Sequence, residues 1–159
     1  MTIQLAVFGI LGIAATVWAF VANKRLFRGG TVGRPSILEG VFYATGIVSL
    51  LLGWYFNVLY THQVGAKASY VAYTKALFSS WAADSAAQDY IIVNVVLLPL
   101  WTIADGRRRQ MRVPWIFFVM SLFTSLAFSM AFYLAFVERQ IRYAQSTGAD
   151  KADVASIEG

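Results

Sequence analysis

Long, almost uninterrupted apolar runs alternate along the chain with short segments that hold most of the charge. The first run covers about residues 3–22. At about 1.5 Å per residue that length makes roughly 30 Å, the thickness of a bilayer's hydrocarbon core. No basic segment precedes it, so it is read as a span and not as a cleaved signal peptide. The second run covers about 36–60 and opens on Ser36, a helix N-cap, with Glu39 placed to complete a capping box. The third, about 89–105, is the shortest: Asp89 and Asp105 bracket it, and Pro99 leaves the Val95 carbonyl without its usual donor. The fourth covers about 114–137, with Pro114 suited to a first turn and Trp115 to an interfacial anchor. The pattern predicts an all-α integral membrane protein with four transmembrane helices in an antiparallel bundle.

Between the second and third runs the periodicity changes. Over about 67–83, Tyr70, Val71, Thr74, Leu77, Phe78 and Trp81 share one helical face. Ser69, Ala72, Tyr73, Ala76, Ser79 and Ser80 share the opposite one. This predicts a short amphipathic helix, either lying at the membrane interface or packed over the mouth of the bundle. Residues 1–143 then form one transmembrane domain, and the small, polar segment 144–159 reads as a flexible tail.

Composition sharpens the reading. Only 13% of the 159 residues are charged and 58% are hydrophobic, whereas soluble domains carry roughly a quarter charged residues. The net charge of +5 does not point to nucleic acid. Eight of the thirteen basic residues sit in two short loops: Lys24, Arg25, Arg28 and Arg34, then Arg107, Arg108, Arg109 and Arg112. Such loops set topology and meet anionic lipid on the cytoplasmic side. With four spans, both termini are then expected on the outer side of a bacterial inner membrane. The absence of cysteine excludes disulfides, thiolate metal sites and cysteine nucleophiles.

Small and polar residues recur at helical spacing. Thr45, Ser49, Gly53 and Asn57 form a stripe on the second run; Ser121, Ser125 and Ser129 form one on the fourth, beside Ala127, Ala131 and Ala135. Ala15 and Ala19 make a shorter row on the first. Such rows let helices approach closely in lipid, within the chain or against a partner's helices. Asn57 and Asn94 are the polar side chains expected inside the membrane, with a direct hydrogen bond between them or a polar contact to a lipid headgroup.

Catalytic chemistry is not legible. His62 is the single histidine, no carboxylate falls near the middle of a run, and no nucleophile–base pair stands out. No cofactor is expected. The reading is a non-enzymatic accessory or assembly subunit of a larger envelope complex, with membrane lipids and other integral membrane subunits as partners. The alternatives are a lipid- or isoprenoid-handling protein with a pocket near Asn57, Asn94 and Pro99, and a small oligomeric transporter.

The segments Leu77–Asp84, Asp105–Trp115 and Tyr133–Arg139 resemble an uncharacterised family of small bacterial four-span membrane proteins. That resemblance brings no catalytic residues with it. In size, span count and basic turns the chain is also similar to small actinobacterial membrane proteins associated with Mce-type lipid importers. This second resemblance implies an accessory role and a lipid-related partner.

Overall fold

A computed structural model describes residues 3–28 and 32–157, with side chains up to residue 148. The described residues are helical and contain no strand. The helices are α1 (Ile3–Ala22), α2 (Ile37–Val64), α3 (Tyr70–Leu77), α4 (Trp81–Ile91), α5 (Leu98–Arg108), α6 (Ile116–Phe123) and α7 (Leu126–Ile157). A π-helical segment, Ile92–Leu97, joins α4 to α5 in one continuous rod. Three helical segments are long and apolar enough to cross a membrane: Ile3–Ala22, Ile37–Lys67 and Trp81–Arg108. Side chains on α1 and α2 line up antiparallel with those of α6 and α7 respectively.

The expected fourth span is the main departure. Residues 114–137 do not form one rod, because the helix breaks at Thr124 and Ser125 and the chain turns back. The Phe117 ring lies 5.3 Å from that of Phe136 and 5.2 Å from that of Tyr133. In a straight helix, positions that far apart in sequence would be separated by well over 20 Å. On one arm Trp115 meets Trp18, Met120 meets Thr16, and Phe123 meets Phe8. On the other, Ser125 meets Ser49, Phe132 meets Tyr43, and Arg139 meets Glu39. Helices α6 and α7 therefore form a hairpin whose tip lies halfway along α1 and α2.

Local chemistry explains the turn. Ser125 Oγ accepts a hydrogen bond from the Phe128 N–H, which makes it the N-cap of α7 in the middle of an apolar run. Thr124 Oγ donates to the Met120 carbonyl at 2.7 Å, satisfying an acceptor at the end of α6. Ser129 Oγ donates across the hairpin to the Phe117 carbonyl. The serine row on the fourth run thus closes a hairpin instead of facing another span.

The turn also separates the termini. Gln4 accepts a hydrogen bond from the Tyr70 N–H at one end of the bundle, while Arg139 bonds the Leu26 carbonyl at the other. Residues 4 and 139 therefore lie toward opposite ends of the bundle. Helix α7 continues to Ile157, where a flexible tail from 144 was expected.

The region 67–83 is likewise two helices, not one. Phe78 ends α3, and Ser80 caps α4 by accepting from the Ala83 N–H. The third rod consequently starts at Trp81 and not near Asp89. Its π segment accommodates Pro99, whose missing N–H removes one rung: the Leu98 N–H reaches back five residues to the Val93 carbonyl.

Small residues mark where helices touch, at some of the foreseen positions and at two glycines that were not. A methyl group on Gly46 would sit 2.8 Å from the Phe132 ring, and one on Gly12 would sit 2.7 Å from Thr124. Gly53 has open space around it, Thr45 and Ala127 are exposed, and Ala15, Ala19, Ala131 and Ala135 are buried. The core is aromatic, with Phe117, Tyr133 and Phe136 fully buried along the hairpin.

Candidate ligand-binding chamber

The hairpin needs an anchor where it enters and leaves the bundle, and the basic end supplies one. Asn23 is fully buried; its Nδ2 donates to the Ala19 and Arg112 carbonyls, and its Oδ1 accepts from the Arg112 N–H. Tyr133 Oη donates to Asp105 at 2.6 Å, and the same carboxylate takes Arg109 Nε at 2.8 Å. Glu39 is fully buried and accepts from Arg139 Nη1 and Arg142 Nη1, both at 2.9 Å. Arg139 lies 4.6 Å from the Phe27 ring centre, and Arg142 also donates to the Val32 and Arg34 carbonyls. Ser36 accepts from the Glu39 N–H as a cap should, but the Glu39 carboxylate leaves the expected capping box for these arginines.

Between α5 and α6 the chain makes a Schellman turn: Met111 N–H bonds the Gly106 carbonyl and Gln110 N–H bonds that of Arg107. Gln110 and Val113 take left-handed conformations, with φ of 57° and 54°. Gly106 is required here because a methyl group would sit 2.5 Å from Pro114. The eight basic residues divide accordingly. Arg25 and Arg109 are engaged with the fold, through Gln110 and Asp105 respectively. Lys24, Arg28, Arg34, Arg107, Arg108 and Arg112 present exposed side chains.

The other half of the molecule is built differently. Because the hairpin stops midway, a cavity of about 270 Å³ remains beyond its tip. Ser121, Phe123 and Thr124 form its floor, α1 contributes Gln4 and Phe8, and α2 contributes Trp54, Asn57 and Tyr60. Tyr70 and Tyr73 of α3 close one side, and Tyr90 and Asn94 of the third rod line another. Tyr60 and Tyr73 meet edge to face at 5.3 Å, as do Phe8 and Tyr70 at 5.9 Å. Helix α3 is thus packed over the bundle mouth, the second of the two placements its amphipathic pattern allowed.

Asn94 is the most instructive wall residue. It sits in the π segment, 4% exposed, and its Nδ2 donates to Tyr90 Oη at 3.2 Å. Its Oδ1 is buried and has no partner. A buried amide oxygen without a donor costs about 1–3 kcal/mol. Asn57 lines the same cavity, so the sequence brings the two asparagines to one chamber, but no direct hydrogen bond joins them.

A second cavity of about 400 Å³ adjoins the first and shares Trp54, Phe123 and Thr124 with it. It is a groove between α1 and α2, walled by Gly9, Gly12, Leu50 and Phe128. Its rim residues Ile13, Val17 and Leu51 are more than half exposed on the outside of the bundle, so it opens sideways. Trp54 spans the gap: a methyl group on Gly9 would sit 2.5 Å from its ring.

Several of these residues were not foreseen. Trp54, Gly9, Gly12 and the tyrosines at 60, 73 and 90 carry no motif. Their signal was the Thr124–Ser125 pair, a capping pattern inside an apolar run. Among the described residues, no three His, Cys, Asp or Glu side chains gather into a metal-binding group.

Residues 41–139 match the model of a family described as Protein of unknown function DUF2834. The match takes in all three segments on which the resemblance to an uncharacterised family rests. No curated protein and no solved structure matches the chain.

Proposed function

The chain belongs to the DUF2834 family, and we propose that it is a membrane-embedded binding protein for an amphipathic molecule. The polar end of that molecule sits in the chamber, and its apolar chain lies in the groove between α1 and α2. The observation that carries this reading is the buried, unpartnered Asn94 oxygen in a chamber that shares Trp54, Phe123 and Thr124 with an adjoining apolar groove. Small-molecule sites pair largely apolar walls with a few placed polar groups, and lipid is the abundant amphipathic molecule around such a groove.

In this reading the three long apolar helices span the bilayer, and α6–α7 is a re-entrant hairpin. Irregular backbone at membrane depth is tolerated where protein buries it or it lines a cavity. Thr124 and Ser125 meet that condition. In this reading the basic end faces the cytoplasm of a bacterial cell, which the exposed Lys24, Arg28, Arg34, Arg107, Arg108 and Arg112 support. The chamber then lies in the outer half of the membrane.

An accessory-subunit role draws less support. Beside the lack of a catalytic constellation and of soluble mass, its argument was the small-residue rows, of which Ser49, Ser125, Ser129 and Ala131 are engaged inside the chain. A role beside an Mce-type importer has only the general likeness of size and basic turns.

The test is lipid retention. The full chain extracted in mild detergent is expected to hold about one lipid per chain, quantified by mass spectrometry. Val17→Trp and Leu51→Trp place an indole at the groove rim and should empty it without disturbing the basic end. Equal lipid content in the parent and both variants would remove the groove from the account.

A further inference from the structure

The chamber has a chemical bias in its walls. Among its described lining residues there is no Asp, Glu, Lys, Arg or His. A charged head placed against these walls would gain no opposite charge from them to offset the water it loses. The polar groups present include the hydroxyls of Tyr60, Tyr70, Tyr73 and Tyr90 and the amides of Asn57 and Asn94.

Asn94 adds a direction to this bias. Its Nδ2 already donates to Tyr90, so the group left over is an acceptor. Four buried polar atoms lack partners among the described residues: Arg25 Nε, Tyr43 Oη, Asp84 Oδ1 and Asn94 Oδ1. Of these residues, Asn94 alone lines the chamber. An acceptor is satisfied by a ligand O–H or N–H. Quaternary ammonium heads suit aromatic walls, but they carry no donor for this oxygen.

Resting on the binding reading above, we propose that the chamber selects an uncharged, hydroxyl-bearing head group, with a ligand hydroxyl donating to Asn94 Oδ1. A sugar or glycerol head fits this description. Its C–H faces pack on the tyrosine rings while its hydroxyls meet Asn94, Asn57 and the phenols. Such a head could belong to a lipid or to a free polyol, and the two sources are separable by experiment.

The full chain would be placed in nanodiscs holding equal amounts of glycosyl-diacylglycerol, phosphatidylglycerol and phosphatidylcholine. Native mass spectrometry would count the lipid that stays bound. The uncharged glycolipid is expected to be retained about tenfold over either phospholipid, an effect of the size of one well-placed hydrogen bond. Asn94→Leu should erase the preference, and Asn94→Asp, which keeps an acceptor oxygen, should restore part of it. Preferential retention of phosphatidylglycerol or phosphatidylcholine would overturn the head-group assignment and leave the binding site standing. No retained lipid of any class would overturn the binding reading itself. Methyl glucoside supplies the head without a chain. Weak competition by it is expected; competition equal to the glycolipid would keep the head assignment and remove the groove from the reading.

Discussion

The two ends of the bundle treat their buried carboxylates and amides differently. At the basic end, Glu39, Asn23 and Asp105 are each held by two or more partners. At the tyrosine end, Asn94 keeps an oxygen without a partner. These three paired groups make a rigid joint, because a satisfied polar network has one good arrangement, although Arg25 Nε and Tyr43 Oη in the same half also lack partners. An unpaired acceptor in a roomy, polar-walled space is instead open to a donor from outside the chain. The comparison teaches that the hairpin is fastened at one end so that the other can stay open.

The largest expected effect comes from breaking the fastened end. Glu39→Ala leaves Arg139 and Arg142 buried or half-buried without their counter-charge. Breaking such a cluster typically costs about 3–5 kcal/mol, so the detergent-solubilised variant should melt well below the parent in a fluorescence-monitored thermal scan. An unchanged melting point would mean that the arginines find other partners and that the joint is not rigid.

Close packing at the hairpin should come next. Gly46→Leu forces its side chain into Phe132, and Gly106→Ala forces a methyl into Pro114. Overpacking of this kind costs about 1–3 kcal/mol. Gly53→Ala meets open space and should change stability by less than about 0.5 kcal/mol. Equal losses at Gly46 and Gly53 in the same thermal assay would contradict the assigned packing faces.

Much of this was legible in the sequence, and the failures have a physical cause. Three apolar runs became three membrane-length helices because run length reports bilayer thickness directly. The fourth run has that length too, yet composition cannot tell a rod from a hairpin when both are apolar throughout. Only the Thr124–Ser125 cap distinguishes them, and two hydroxyl residues in a helix usually bond their own backbone without ending it. The stripe Thr45, Ser49, Gly53 and Asn57 was real at Ser49, which meets Ser125. It ran out beyond that point because the hairpin ends there and leaves Asn57 to the chamber. Asn57 and Asn94 both line the chamber, but no hydrogen bond joins them.

A smaller effect of opposite sign is expected at the open end. In lipid-free detergent, Asn94→Leu removes an unsatisfied acceptor and should leave stability unchanged or raise it by about 1 kcal/mol. Ligand retention should fall at the same time. A clear loss of stability would show that Asn94 is a structural group and would erase the contrast between the two ends. Smallest of all, Arg107→Gln and Arg108→Gln alter exposed charges and should shift the melting point only marginally.

The contrast depends on the hairpin turning back, because a fourth span would fill the space beyond its tip. Side-specific labelling tests that turn directly, and the chain has no cysteine to interfere. Single cysteines at Ser69, Arg108 and Gly148 would be exposed to an impermeant thiol reagent in intact cells. Ser69 is expected to label, while Arg108 and Gly148 stay protected until the membrane is opened. Equal labelling of Ser69 and Gly148 in sealed cells, with Arg108 protected, would mean that the last apolar run crosses the bilayer and that the chamber does not exist as described.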